Sequence, residues 1–238
     1  MNFAVDLHIH SALSPCSDND MTPNNIVNMA LLKGLDFIAV TDHNSAENLG
    51  AVLSCAEGTG LTVVPGMEVE TSEEVHLVCL FPDVASALQV QGEIYGSLPP
   101  VANREDIFGS QLVMNEKDEV AGKVGRFLLT ASGYGADEIF TMVENIGGVV
   151  VPAHVDRQSY SMLSNLGSIP EGLGIRWLEV SKACDEAAFR AEHPELSGYA
   201  FVKSSDAHHL GDILERETFL DLPERSIDAL LRKLRDRD

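Results

Sequence analysis

The chain has 238 residues, of which 16 are Lys or Arg and 37 are Asp or Glu, and its formal net charge is −21 at pH 7. This length suits one barrel or layered domain, and a hydrophobic fraction of 45% excludes a disordered or fibrous chain. The negative charge repels phosphates and anionic lipids, so it predicts neither a long nucleic acid nor a membrane as partner. A metal site that locally reverses the sign stays possible.

The elements predicted in chain order alternate between short apolar runs and helical patterns. They are strand 3–9, helix 23–33, strand 36–40, helix 45–57, strands 61–64 and 75–81, helices 84–95 and 137–145, strands 149–151, 175–180, 200–203 and 218–220, and helix 223–234. Strands that alternate with helices indicate a parallel α/β sheet or barrel.

One region interrupts this alternation. Two β-like runs, 111–115 and 124–129, flank the polar residues 116–119. We predict a single domain over residues 1–238, with a probable inserted β-hairpin inside a segment at about 96–134.

Targeting signals and paired cysteines are missing from the sequence. No apolar run has the length of a membrane span, and the first residues carry no basic region, so a cytoplasmic protein is expected. No two cysteines have the C-x-x-C spacing, which predicts free thiols in a reducing compartment. The cysteines are Cys16, Cys55, Cys79 and Cys184.

Histidines follow the predicted strands with unusual regularity. Those at or just after a strand end are His8, His10, His43, His154 and His208. In parallel α/β folds the carboxyl ends of strands form the functional sites. We therefore expect these imidazoles to meet at one edge of the sheet.

The spacing within the motifs favours metal binding. His8 and His10 are two residues apart on a strand, which directs both side chains to one face. Asp206 and His208 have the same spacing, and the carboxylate of Glu68 could bridge two cations. Each motif alone is ambiguous, and a residue such as His76 among apolar neighbours is usually a hydrogen-bonded core histidine. Together they favour a metal site.

Six motifs occur in the order typical of one family. They are D-L-H-I-H-S, T-D-H-N, G-M-E, a later isolated histidine, P-A-H and S-D-A-H, spread over residues 5–209. In this the chain resembles the polymerase and histidinol phosphatase (PHP) family. The resemblance implies a distorted (β/α)7 barrel with two or three divalent metals at its carboxyl face, and it implies hydrolysis of phosphoesters.

The resemblance also implies which residues bind the metals, with Glu68 shared by two sites. The first site comprises His8, His10, Glu68 and Asp206, the second comprises Glu68, His76 and His154, and the third comprises His43, His208 and one residue of the loop after the first strand.

Three residues of the loop after the first strand are candidates for the remaining ligand of the third metal site. Counting back from Thr22-Pro23, as the family motif suggests, selects Asp18, and an oxygen ligand suits the remaining donors. The loop is longer than in many relatives, so Cys16 and Asp20 remain alternatives.

The chemistry implied is attack on phosphorus by a metal-bridging hydroxide, with Glu68 and Asp206 holding the metals that activate it. Arg157 would hold a phosphate, or form a surface salt bridge. His209 would protonate the leaving group, or lie in solvent. Manganese, iron and zinc all suit imidazole and carboxylate ligands.

Other polar residues have less direct roles. Asp6 and Asp42 are predicted to orient imidazoles. The inserted hairpin is expected to cover the site and to bring Lys123 and Arg126 to the substrate.

The predicted substrate is a small phosphomonoester or a nucleotide phosphate. Two alternatives stay open: a metal-dependent amide hydrolase, since the same hydroxide attacks a carbonyl, and a non-catalytic metal-binding regulatory domain.

Overall fold

Strands and helices alternate along most of the chain. The computed structural model describes residues 1–236. Its strands are β1 (Asn2–Ile9), β2 (Phe37–Val40), β3 (Thr62–Glu70), β4 (His76–Leu80), β5 (Leu112–Met114), β6 (Val120–Lys123), β7 (Val149–Pro152), β8 (Trp177–Ser181), β9 (Ala200–Ser204) and β10 (Phe219–Asp221). Its α-helices are α1 (Pro23–Leu32), α2 (Leu49–Ala56), α3 (Val84–Ser97), α4 (Glu105–Phe108), α5 (Ala136–Asn145), α6 (Met162–Leu166), α7 (Glu186–Glu192) and α8 (Ile227–Arg235). Two 3₁₀ helices cover Pro194–Gly198 and Leu210–Asp212.

Local sequence signals explain where helices start. At α1 the Thr22 hydroxyl accepts a hydrogen bond from the backbone N–H of Asn25, and Pro23 occupies the first helical position. Gly34 follows the helix with a φ of +70°, a conformation that costs glycine little.

The main sheet is mixed rather than parallel. Its strand order is β10-β1-β2-β3-β4-β7. The β1–β2 and β2–β3 pairs are parallel, whereas β4 is antiparallel to both β3 and β7, and β10 is antiparallel to β1. Only residues 71–75 separate β3 from β4, which is too short for the crossover that parallel neighbours need. The expected all-parallel arrangement is therefore wrong at β4.

The main sheet is curled, and two further strands connect its β7 edge with β1. Strands β8 and β9 form a parallel pair of their own. The backbone N–H of Val155, after β7, donates to the carbonyl of Glu179 in β8 at 2.9 Å. After β9, the carbonyl of Ala207 accepts from the N–H of His10 at 2.9 Å. The β8–β9 pair thus lies between β7 and β1.

Alternate residues of the strands pack into two apolar clusters, as the two-residue period of a strand requires. In β2, Phe37 and Ala39 belong to the cluster that includes α8, whereas Ile38 and Val40 face the larger cluster with α1, α2, α3 and α5. The sheet is buried on both faces, which leaves its strand ends as the place for polar chemistry.

The inserted segment contains an antiparallel pair, β5 with β6. The second strand lies at Val120–Lys123, before the run 124–129 that the sequence suggested. That run is instead held by side chains: the amide of Gln111 donates to the carbonyls of Val124 and Arg126 at 2.7 Å, and its oxygen accepts from the N–H of Leu128 at 2.8 Å.

Candidate metal centre

The polar residues of the site lie in or next to six strands and meet at one edge of the sheet. His8 lies in β1 and His10 directly after it, and isolated backbone bridges pair His43 with Glu68 and Ile9 with Ala207. The reversal of β4 decides the place of His76, because this first residue of β4 pairs with Glu70, near the end of β3. Glu68 itself lies inside β3, which continues past the predicted 61–64.

The ligand atoms form three overlapping groups, in each of which all atoms lie within 4.8 Å of one another. Glu68 is shared by the first two groups, and His10 by the first and third. The groups are His8, His10, Glu68 and Asp206; His43, Glu68 and His76; and His10, His43 and His208.

Glu68 is at the centre of these groups. Its Oε1 lies 3.2 Å from His8 Nε2, 3.0 Å from His76 Nδ1 and 3.4 Å from His154 Nε2. Its Oε2 lies 3.3 Å from His10 Nε2 and 2.9 Å from His43 Nδ1. The two oxygens therefore face different sets of imidazoles.

The residues present fit divalent metal ions. Both Glu68 oxygens are buried, yet neither has a hydrogen-bond partner among residues 1–236. Buried carboxylate oxygens without hydrogen bonds are costly unless a cation compensates them. Imidazole and carboxylate donors in one cluster suit manganese, iron or zinc.

Charge coupling shifts the pKa values of the cluster in both directions. Burial alone would lower the pKa of His8 and His76, but the surrounding carboxylates outweigh it, raising the pKa of His8 well above its usual value and that of His76 to about 9. Burial and the neighbouring His10 lower the pKa of His208 to about 4. Burial opposes ionisation of Glu68, but the nearby histidines hold its pKa well below the usual range. The carboxylate therefore stays charged.

Two carboxylates orient the imidazoles of β1. Glu179 in β8 lies 2.9 Å from Nδ1 of His8 and also accepts from the N–H of His154 at 3.1 Å. Asp42 reaches His10 through Ser14, whose Oγ lies 2.9 Å from Nδ1 of His10 and donates to Asp42 at 2.7 Å. These contacts leave the other ring nitrogens aimed at the site.

Glu179 was not among the predicted site residues, and the prediction that Asp6 orients an imidazole is wrong. A buried glutamate in the middle of an apolar strand was the available signal for Glu179. Asp6 orients no imidazole: it accepts from the backbone N–H groups of Ser205 and Leu214, and so holds the loop that carries Asp206.

Arg157 lies at the site and Asp18 at its margin. Arg157 donates to Oδ2 of Asp206 at 2.6 Å, and its side chain is 42% exposed. The Asp18 carboxylate belongs to none of the three groups and lies 3.6 Å from the exposed His209. Cys16, by contrast, lines the same cavity as His208.

Two cations of the inserted segment are engaged elsewhere. Lys123 pairs with Glu105 at 2.7 Å, and Arg126 donates to the carbonyl of Tyr95 at 2.6 Å. Neither lines the cavity at the site, whereas Phe108, Phe127 and Leu129 of the same segment do. The prediction that Lys123 and Arg126 cover the site is therefore wrong, although other residues of the inserted segment do line the cavity.

The backbone is strained around the cluster. Non-glycine residues with positive φ include Asn44 (50°), His154 (30°), Tyr160 (54°) and Asp206 (50°). Such conformations cost about 1–3 kcal/mol each and are typical of functional sites. They turn the chain sharply at the ends of the strands.

A cavity of about 470 Å³ opens onto the cluster. His43, Glu68, His76, His154 and Asp206 are among its lining residues. A second cavity, of about 430 Å³, lies between α5, β7 and α8, and none of the three ligand groups borders it.

A family model identifies the protein family to which the chain belongs. The family model named PHP domain matches residues 6–165 of the chain. The chain belongs to the PHP family. The resemblance seen in the motifs is thus confirmed, and the PHP domain's mixed α/β sheet carries the His, Glu and Asp cluster at its strand ends.

Curated relatives of this PHP domain include nucleases and phosphatases. The 5′-3′ exoribonuclease Rnm of Salmonella typhimurium is 33% identical over 91 residues, covering 35% of this chain and 30% of the relative. The 3′,5′-nucleoside bisphosphate phosphatase of Chromobacterium violaceum is 31% identical over 91 residues, covering 37% of this chain and 31% of the relative. The alignments thus span about a third of these proteins. Their names agree with the predicted class of phosphoester hydrolases.

Solved structures share the fold over almost the whole chain. The lesion-specific endonuclease Q of Pyrococcus furiosus has a TM-score of 0.72 at 21% identity, covering 99% of this chain and 56% of that one. A putative metal-dependent phosphoesterase of Bifidobacterium adolescentis has a TM-score of 0.62 at 18% identity, covering 97% of this chain and 94% of that one.

The expectation of a small phosphorylated substrate and no long nucleic acid is corrected by these comparisons. Endonuclease Q, solved in complex with a 27-mer duplex substrate, has the same fold at a TM-score of 0.70 and 20% identity, covering 98% of this chain and 56% of that one. A net charge averages over the whole surface, whereas phosphate binding depends on the local field at a site. The −21 charge therefore does not exclude nucleic acid.

A separate finding concerns membranes. Over residues 1–236, no helix combines the length and apolar character needed to span a bilayer.

Proposed function

We propose that this PHP domain is a metal-dependent phosphoesterase that hydrolyses the phosphoester of a nucleotide unit, either free or within a nucleic acid. The observation that carries the proposal is Glu68, whose two buried oxygens face two sets of imidazoles without a hydrogen bond among the described residues. The assignment of a nucleotide substrate is supported by three relatives, of which two are named exoribonucleases and one a nucleoside bisphosphate phosphatase.

Each group of ligand atoms would hold one divalent ion. Such ions lower the pKa of bound water and neutralise charge on a phosphoryl group. The residues proposed to hold them are His8, His10, His43, Glu68, His76, His154, Asp206 and His208, with Asp18 as the loop ligand.

The protein's own groups would orient these ligands and the substrate. Glu179 holds the ring of His8, and Ser14 with Asp42 holds the ring of His10. Arg157 borders the cavity, where its guanidinium would bind phosphoryl oxygens. His209, at the margin of the site beside Asp18, would supply a proton to the leaving oxygen.

The experiment compares metal-depleted protein reloaded with manganese, iron or zinc. Hydrolysis of a nucleoside monophosphate, a 5′-phosphorylated oligonucleotide and an aryl phosphate is measured beside an aryl amide. We expect metal-dependent release of phosphate or nucleotide, and loss of at least about 100-fold in kcat for Glu68→Gln. Glu93→Gln, on an exposed face of α3, is the matched control.

Amide hydrolysis is the second candidate, since a solved structure at a TM-score of 0.61 and 20% identity is named an amidohydrolase. Cleavage of the amide alone would reject the phosphoesterase. Metal binding without any turnover would favour a regulatory domain instead.

A further inference from the structure

The cavity at the metal centre has an apolar wall that phosphoester hydrolysis does not require. Its ligand residues come from the strand ends, whereas Phe108, Phe127 and Leu129 come from the inserted segment. We propose that Phe108 and Phe127 form a stacking surface for the nucleobase of the substrate. This inference rests on the proposed function and specifies how its nucleotide is recognised.

The two rings are arranged for stacking. Their centroids lie 4.4 Å apart with an interplanar angle of 33°. Phe108 is 42% exposed despite its apolar ring. Phe127 beside it is half-buried. An aromatic ring that is open to the cavity of a polar site offers a flat face to which any base can stack, because every base has a π face.

The backbone around Phe108 is fixed against the loop after β1. Gly109 has a φ of +92°, and a Cβ atom there would lie 2.4 Å from the carbonyl oxygen of Pro15. The amide of Asn103 donates to the carbonyl of Gly109 at 2.8 Å. The segment therefore packs closely beside Cys16, which itself borders the cavity.

The backbone around Phe127 is equally constrained. The N–H of Phe127 donates to the carbonyl of Val101 at 2.9 Å. On either side, the buried Gln111 bonds to the carbonyl of Arg126 and to the N–H of Leu128. The backbone that carries both rings is thus fixed before a ligand arrives, which reduces the entropy cost of binding.

Size and charge favour a base over a bare phosphate. At about 470 Å³ the cavity falls in the range of pockets that take whole small molecules. Among residues 1–236, Arg157 is the one lysine or arginine that lines it. In a chain with a net charge of −21, stacking adds affinity that does not depend on attracting the backbone phosphates.

The test uses 2-aminopurine, whose fluorescence is quenched when it stacks. The probes are the 2-aminopurine nucleoside 5′-monophosphate and a 5′-phosphorylated oligonucleotide with 2-aminopurine as its first base. The variants are Phe108→Leu, Phe127→Leu and both together, which keep an apolar side chain. Phe219→Leu is the matched control, because Phe219 is 45% exposed in β10 and does not line the cavity.

We expect the parent protein and Phe219→Leu to quench the probe, and the double variant to lose the quenching. The KM for a nucleotide should rise on the order of 10-fold in the double variant, while the KM for ribose 5-phosphate stays unchanged. Quenching of the mononucleotide would indicate a free nucleotide as ligand, and quenching of the oligonucleotide alone a nucleic acid end.

Two results would overturn the stacking surface: quenching that persists in the double variant, or an equal rise in KM for both substrates. Failure of the proposed function is separate, since it shows as no hydrolysis of any phosphoester by the metal-loaded parent protein. The fluorescence measurement does not depend on turnover.

Discussion

The Nδ1 atom of His8 lies 2.9 Å from one carboxylate oxygen of Glu179 and 3.1 Å from the other. Both side chains are buried, His8 in β1 and Glu179 in β8. This contact directs Nε2 of His8 toward Glu68 and Asp206, with which it shares a ligand group. A carboxylate behind a ligating imidazole fixes the ring and increases its basicity.

Glu179→Gln should therefore weaken metal binding without removing a ligand. The amide keeps the shape but loses the charge, so we expect metal affinity to fall about 10- to 100-fold. Titration of the metal-depleted protein against a competing chelator measures this change. Glu171→Gln, at an exposed position, serves as control and should bind metal like the parent protein. An unchanged metal affinity of Glu179→Gln would show that Glu179 has only a structural role.

Arg157→Lys should distinguish two roles of Arg157, which are binding of the substrate phosphate and the hydrogen bond to Asp206. Lysine keeps the charge but loses the planar fork that binds two phosphoryl oxygens. We expect the KM of the phosphorylated substrate to rise about 10-fold with an unchanged metal content. Arg190→Lys is the control, because Arg190 pairs with Glu186 within α7. A fall in metal content with an unchanged KM would show that the 2.6 Å contact to Asp206 is the main role of Arg157.

Much of the site could be predicted from short motifs. The spacing of His8 and His10 is sufficient to direct both rings to one face. The family resemblance selected His76 and His154, and the structure brings both within 3.4 Å of Oε1 of Glu68. The direction of β4 could not be predicted, since a two-residue period is the same for parallel and antiparallel strands. Only the structure shows that β3 extends to Glu70, past the predicted end at residue 64, and that the connection to β4 is too short for parallel strands.

Other features required the tertiary structure. A buried glutamate such as Glu179 becomes interpretable only when β8 is known to lie beside β1. Phe108 and Phe127 are 19 positions apart in the sequence, and their contact depends on how the inserted segment folds back. The short helices α6 and α7 have too few residues for a helical period to be recognised.

The loop after β1 leaves a choice among Asp18, Cys16 and Asp20 that metal counting can decide. We expect Asp18→Asn to lose one metal equivalent, because the group of His10, His43 and His208 has no oxygen ligand of its own. Cys16→Ser and Asp20→Asn should each keep the full number of metals. Metal content after gel filtration, measured by mass spectrometry, gives the answer. The reverse pattern would assign the role to Cys16, which lines the cavity.

The turn that aligns β7 with the site leaves no room for a side chain at Gly148. A Cβ atom at Gly148 would lie 2.6 Å from Cγ1 of Val143 and 2.7 Å from the backbone oxygen of Leu80. Because the backbone oxygen belongs to the sheet and cannot move freely, Gly148→Ala should lower the free energy of unfolding by about 1–3 kcal/mol.

Gly92→Ala is the matched control, because Gly92 lies inside α3 with nothing within 4 Å of its added Cβ. Alanine there should raise the free energy of unfolding by about 0.5–1 kcal/mol, since it restricts the unfolded chain and suits a helix. Urea unfolding of metal-depleted protein measures both variants, which keeps metal binding from adding to the stability. Equal stability of the two variants would mean that β7 and the end of α5 can separate to accept the extra methyl group.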